Sequence, residues 1–375
     1  DTVGGTAGAN ETTASSSDIN PLEIVAGWND YRQSGGVRSG FSLSLDGGES
    51  WTGFILRPAP PFQTNVEGDP MTAYDPRTGY LWAGAISFAS NGGLYVARKA
   101  PGATEFEPAV MAQQAGGVDK GWMAAGPRFN QPDTTRLFAA YNFGVIWSDD
   151  LGQTFTSPMS LGAGLGFLPR VGPNGEIYVG YWDWTGSGQG LRIARSLNDG
   201  ASFTTHTVAT RMDVWGTQDG SRVPGIFRCP MLLYFDVDPN TGHLYAVYFD
   251  TTNIVDGNRN LDLYFTKSTN QGTSWTTPVI INGDNNPPGD QFWPWIEVDR
   301  DGRLHIAFYD TRHTIQDDGV TNGMFDVYYM YSEDEGDTWT EFRLTPDPWN
   351  SADDGILGNN QFLGDYMGMG VAKNR

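Results

Sequence analysis

Ser332-Glu333-Asp334-Glu335-Gly336-Asp337-Thr338-Trp339 lies between two strand-like runs, Tyr328-Tyr329-Met330-Tyr331 before it and Glu341-Phe342-Arg343-Leu344 after it. A short polar stretch in that setting reads as a hairpin turn. The Asp side chain accepts hydrogen bonds from the turn's own amides, and Gly takes the positive-φ position that a side chain would forbid. The pattern recurs at residues 44–51, 148–155, 196–203 and 268–275, so that five copies, with 332–339, fit Ser-x-Asp/Asn-x-Gly-x-Ser/Thr-aromatic. The closing Trp or Phe is expected to return to the hydrophobic interior.

Two further elements repeat. Apolar strands that end near an aromatic and an acid run from Ile24 to Asp30, Tyr178 to Asp183, Leu244 to Asp250 and Leu304 to Asp310, with weaker copies at Leu81 to Ala85 and Leu137 to Tyr141. Five of the six follow a turn and another strand: Pro70 to Tyr74, Gly121 to Ala125, Pro169 to Gly172, Leu232 to Val237 and Pro294 to Val298. The sixth partner is sought at the far end of the chain, in Gly364 to Val371. A blade lacking the turn motif fills the interval between Asp46 and Asp150, around Tyr95 to Lys99. The spacing predicts an all-β chain: a six-bladed β-propeller of four-stranded antiparallel blades over residues 19–375, closed by the C-terminal strand pairing with the N-terminal blade. Residues 1–18, rich in Gly, Ser, Thr and Ala, read as a flexible leader.

The five turns resemble the Asp-box, or BNR repeat, of the sialidase superfamily of β-propellers. The resemblance implies turns at the blade periphery, away from the active centre, and a carbohydrate-active function at the central mouth. In sialidases three arginines grip the substrate carboxylate, a Tyr activated by a Glu is the nucleophile, and an Asp is the acid/base. The early Phe/Tyr-Arg-Ile-Pro motif that supplies the first arginine is absent, and the nearest string, Arg222-Val223-Pro224, lies far downstream. Those sialidase roles are therefore not carried over.

Composition sets further bounds. A net charge of −21 over 375 residues repels nucleic acid and anionic membranes. No run of about 18 apolar residues occurs, so no membrane insertion is expected. The single cysteine, Cys229, excludes an intramolecular disulfide framework. The chain begins with Asp1, which suggests a processed form, and Asn10-Glu11-Thr12 matches a glycosylation sequon. A monomer in a secreted, extracellular or periplasmic setting is expected.

In a propeller, residues just before the innermost strand and just after its neighbour converge on the central mouth. That geometry selects Asp69, Asp119, Asp290, Asp365 and Tyr366 as candidate catalytic groups. It selects Arg32, Arg170, Arg228 and Arg312 for an anionic group, and Trp122, Trp182 and Trp293 as platforms for a sugar ring. The expected partner is a saccharide, acidic if Arg170, Arg228 and Arg312 meet. The expected activity is sialidase-like glycoside hydrolysis; the alternatives are a non-catalytic glycan- or protein-binding propeller, and a polysaccharide lyase using His313 beside Arg312. No cofactor is required. Acidic loops at Asp284-Asn285-Asn286 and Asp317-Asp318-Gly319 admit Ca²⁺ without EF-hand spacing, and nothing points to a zinc site.

Overall fold

The structure, a computed structural model, describes residues 8–32, 36–59, 66–212, 223, 226, 228–255, 258–283, 289–312, 324–351 and 362–372. Within them, six antiparallel sheets follow one another along the chain. Blade one comprises β1 (Ala9–Ser16), β2 (Ile24–Asp30), β3 (Arg38–Ser44) and β4 (Thr52–Ile55); blade two, β5 (Gly68–Tyr74), β6 (Leu81–Ile86), β7 (Gly93–Lys99) and β8 (Val110–Gln114). Blade three has β9 (Trp122–Arg128), β10 (Gln131–Tyr141) and β11 (Gly144–Ser148), its fourth strand reduced to a bridge between Val145 and Met159. Blade four comprises β12 (Leu165–Val171), β13 (Ile177–Asp183), β14 (Gly190–Ser196) and β15 (Thr204–Thr210). Blade five comprises β16 (Tyr234–Val237), β17 (Leu244–Val255), β18 (Asn258–Ser268) and β19 (Val279–Ile280). Blade six comprises β20 (Gln291–Val298), β21 (Leu304–Asp310), β22 (Met324–Ser332) and β23 (Thr340–Arg343), with β24 (Trp349–Asn350) also on β22. No helix among the described residues is long and apolar enough to cross a membrane.

Each blade is covered on both faces by its neighbours. Second strands such as β6, buried along its whole length, therefore read as continuous apolar runs rather than alternating ones. The five repeat turns share one hydrogen-bond plan. The first Ser accepts the Gly N–H four residues on, at 2.8 to 3.0 Å, and donates to the Asp or Asn. That Asp or Asn accepts the amide of the Ser or Thr four residues on, at 2.8 to 3.1 Å. In all five copies the residue before this Gly is itself left-handed: Gly47 in the first, and Leu151, Asp199, Gln271 and Glu335 in the others. The closing aromatics go inward only part of the way. Trp339 is half-buried and Trp51 exposed, because each indole N–H is turned back onto its own turn, to Gly336 O at 3.1 Å and Gly48 O at 3.0 Å.

Ring closure differs from the sequence expectation. The innermost strand of blade one is β1, in the stretch read as a leader, and it pairs antiparallel with β2. Residues 362–372 form no regular strand; they lie along β1, with Asn10 Nδ2 donating to Phe362 O at 3.2 Å and Gly368 N–H to Thr12 Oγ1 at 3.3 Å. The approach is close enough that a Cβ on Gly368 would sit 2.7 Å from Thr12 O. Small residues face glycines here, so the strand carries no hydrophobic signal. Asn10, whose amide is buried in this contact, is not free to carry a glycan.

Candidate functional site at the channel mouth

The innermost strands of blades one, two, four and six carry a β-bulge at their mouth end, between Asn10 and Thr13, Gly68 and Met71, Leu165 and Leu168, and Phe292 and Trp295. Within the bulges Glu11, Asp69, Gly166 and Trp293 have φ of 55°, 48°, 69° and 45°; Lys120, at 43°, stands just before β9. The bulge recurs where the residue is Gly or Trp, so it belongs to the ring rather than to any chemistry. In blades one and two the bulge, and in blade three the left-handed Lys120 ahead of the strand, aim charged side chains at one another, at a backbone cost of roughly 1–2 kcal/mol for each non-glycine residue.

Asn29 joins the first two blades: its Nδ2 donates to Glu11 Oε2 at 2.7 Å and its Oδ1 accepts the Asp69 N–H at 3.1 Å. Asp69 Oδ2 accepts the Lys120 N–H at 2.8 Å. The Asp69 carboxyl also adjoins those of Glu11 and Asp119 and helps to raise the pKa of both. Across from it, Arg228 donates from Nε and Nη2 to the two oxygens of Asp365, each at 2.5 Å, and Nη2 lies 3.8 Å from Glu11 Oε1. The Lys120 ammonium lies between two rings, 3.7 Å from the Trp122 centroid and 3.3 Å from that of Tyr366.

Burial sets the electrostatics. It pushes Glu11 well above the carboxylate range, reinforced by Asp365 and Asp69. Asp365 is pushed up to about 6, again chiefly by burial, with Arg228 opposing and Asp69 and Asp119 adding to the rise. Asp119 is exposed at the rim, yet desolvation of its carboxyl and the nearness of Asp69 raise it too. Burial brings Lys120 down to about 8 although four acids favour its charge. Below these groups Trp122 meets Tyr366, Trp295 and Tyr234 at 5.4, 6.0 and 6.2 Å between centroids. Residues from blades three, five and six can meet only across the channel, so this aromatic cluster plugs it. Beyond the plug a cavity of about 480 Å³ opens at the other end, lined among others by Thr13, Thr72, Arg170, Asp236 and Glu297.

Of the residues chosen from sequence, Asp69, Asp119, Asp365, Tyr366, Arg228 and Trp122 come together at the mouth. The others do not join them. Arg170 stands near the far end of β12, bonded to Asp236 and Glu297 in the opposite cavity, because it lies inside the inner strand rather than before it. Arg312 reaches outward to Asp310 and Glu341, and Arg32 folds back onto Asp30. Asp290 accepts the Leu261 N–H at 3.0 Å and ties blade five to blade six. All three tryptophans are buried: Trp122 is in the plug, Trp182 donates to Gly188 O, and Trp293 packs against Phe292 and Tyr309. Strand tryptophans fill the core, and none of the three offers an open ring face to a sugar. His313 and both acidic loops considered for Ca²⁺ lie outside the described residues. Glu11 was missed because its strand, made of small and polar residues, resembles a linker.

No protein-family model matches this chain, and no curated protein matches its sequence. Solved structures do. A protein of unknown function from Dyadobacter fermentans is 15% identical with a TM-score of 0.50, over 81% of this chain and 91% of that one. A Hadza microbial sialidase is 14% identical with a TM-score of 0.51, over 80% of this chain and 63% of its own. The GH74 enzyme of Niastella koreensis is 14% identical with a TM-score of 0.51, over 91% of this chain and 60% of its own. This chain thus spans less than two thirds of the length of those two enzymes. At such identities the likeness concerns architecture alone, that of a β-propeller.

Proposed function

We propose that this protein is a glycoside hydrolase that takes a neutral glycan at the mouth formed by blades one to three. The observation that carries the reading is the cluster of the Glu11, Asp69 and Asp119 carboxyls, linked through Asn29 and the Lys120 N–H, facing the Arg228-held Asp365. Asp119, at the rim with a raised pKa, protonates the glycosidic oxygen as the C1–O bond breaks. Asp365, titrating near 6 and oriented by Arg228, takes the proton of the water that attacks C1. The sialidase and GH74 names of two architectural neighbours support a carbohydrate substrate, without specifying which.

The substrate is neutral rather than acidic on electrostatic grounds. Four carboxyls line the mouth against Lys120 and Arg228, and Arg228 is already engaged by Asp365. The acidic glycan expected from sequence needed three converging arginines, and Arg170 and Arg312 are elsewhere. On this reading the protein acts outside the cytoplasm, and its carboxyls work without a cofactor.

The test is a screen of neutral and acidic aryl glycosides and polysaccharides, with Asp119→Asn and Asp365→Asn as controls. Turnover of a neutral substrate, lowered at least 100-fold in both variants while each remains cooperatively folded at the assay temperature, is expected. A second reading, glycan binding without turnover, is favoured by one observation: Asp69 and Asp365 are both committed to internal partners. Binding by the wild type with no hydrolysis in the screen would establish it instead.

A further inference from the structure

Among the described residues, five Trp and Phe side chains are exposed: Trp51, Phe88, Phe143, Trp184 and Phe342. Trp51 closes a peripheral turn and Phe342 lies on the outer strand β23. The remaining three occupy equivalent places in consecutive blades, one or two residues beyond the second strand, where the chain has returned to the mouth: Phe88 after β6, Phe143 after β10 and Trp184 after β13. Their exposures are 58%, 43% and 48%. Among the described residues the other aromatics, Trp51 and Phe342 apart, are buried or half-buried, so three open rings at matching positions are not scattered surface residues.

The row adjoins the carboxyl cluster. Phe88 rests against Gly68, the neighbour of Asp69: a Cβ on that glycine would lie 3.2 Å from the ring. Phe143 follows Asn142, which accepts the Asp119 N–H at 3.0 Å and donates its own N–H to Asp119 O. Trp184 continues the row one blade further from the acids, its ring edge-on to the buried Trp182 at 6.3 Å. Along the chain each ring is flanked by short polar residues: Ser87, Ser90 and Asn91 near Phe88, Asn142 before Phe143, and Asp183, Thr185 and Ser187 near Trp184. A protein partner would call for a continuous apolar patch. Separate flat rings, each beside hydroxyl, amide or carboxylate groups, instead match a pyranose, whose C–H face stacks while its equatorial hydroxyls hydrogen-bond.

We infer that Phe88, Phe143 and Trp184 form a row of stacking subsites that holds an extended neutral oligosaccharide across blades two to four, so that the ligand is a polysaccharide chain rather than a single terminal sugar. The inference deepens the glycan reading and rests on it for the identity of the ligand class.

Affinity electrophoresis in gels containing xyloglucan, arabinan, galactan or mixed-linkage β-glucan tests it, with albumin as the unretarded reference. The wild type is expected to be retarded by at least one of them. Phe143→Ala and Trp184→Ala, both at exposed positions, are expected to weaken that retardation about five- to tenfold at unchanged melting temperature, and Trp184→Phe to restore most of it. Calorimetry with oligomers of two to six units of the same polymer should show affinity rising with length in the wild type and flat in Trp184→Ala. Retardation by no polymer, or equal retardation of wild type and alanine variants, overturns the row. The outcomes separate the two readings. Ring-dependent binding without hydrolysis keeps the row and removes the enzyme, whereas hydrolysis of aryl glycosides alongside polymer retardation equal in wild type and ring variants keeps the enzyme and removes the row.

Discussion

Arg228 and Asp365, 137 residues apart, meet in a two-pronged ion pair with both contacts at 2.5 Å. One residue precedes blade five and the other lies in the C-terminal segment along β1, so the pair clasps the end of the chain into the ring. It also places the Asp365 carboxyl beside Glu11 and Asp69, joining closure to the candidate chemistry.

Removing one member of the clasp strands the other in a largely buried setting. Arg228→Ala and Asp365→Ala should each destabilise by roughly 2–3 kcal/mol, below the roughly 3–5 kcal/mol of breaking a fully buried pair. The double variant should lose clearly less than the sum. Urea unfolding measures the three losses, and additive ones would mean that the two side chains do not interact.

The turns at Asn198 and Asn270 show that the acid in this motif is replaceable. With Asn, the hydroxyl of Ser202 or Ser274 accepts from the side-chain amide; with Asp, the hydroxyl of Ser50 or Thr338 donates to the carboxylate. Asp334→Asn should therefore leave the melting temperature nearly unchanged, because Thr338 need only rotate its proton, whereas Asp334→Ala loses the whole set of acceptors and should lower it clearly. Thermal melting at neutral pH compares the two, and equal losses would contradict the exchange of donor and acceptor.

Repeat position does not decide the weight of an aromatic. Trp82 is fully buried in the core of blade two, while Trp339 is half-buried over its own turn. Trp82→Ala should cost about 3–5 kcal/mol and Trp339→Ala about half as much. A calorimetric ranking in the reverse order would show that the outer turns, rather than the blade interiors, hold the ring together.

Two mouth groups give stability opposite dependences on pH. Asp365 holds its proton up to about pH 6 in the fold against an ordinary 3.8, so the folded state binds more protons between those values and stability falls as pH rises through them. Lys120 releases its proton at about 8 against an ordinary 10.5, so the unfolded state binds more there and stability rises with pH over that interval. Denaturant midpoints from pH 4 to 10 should show the first slope flattened in Asp365→Asn and the second in Lys120→Met. Unchanged slopes in both variants would mean that neither group titrates as its burial dictates.

Sequence by itself determined the turns, because they rest on contacts between residues only a few positions apart, and counting the repeated elements around them gave the number of blades. Ser332, Asp334, Gly336 and Thr338 bond to one another, so their spacing is enough to read them. Part of the mouth was legible too: Asp69, Asp119 and Asp365 follow from knowing which strand ends converge. Only the tertiary structure decided the rest. Glu11 joins the cluster because β1 packs small residues against Gly364, Gly368 and Gly370, a long-range contact that leaves no apolar period behind. Arg170 leaves it because a bulge and a few residues of strand carry a side chain from one end of the channel to the other. Burial, which sets the proton affinities of Asp365 and Lys120 and separates the hidden Trp122 from the open Trp184, belongs to the closed ring. Which side chains lose their water is settled only when six blades meet.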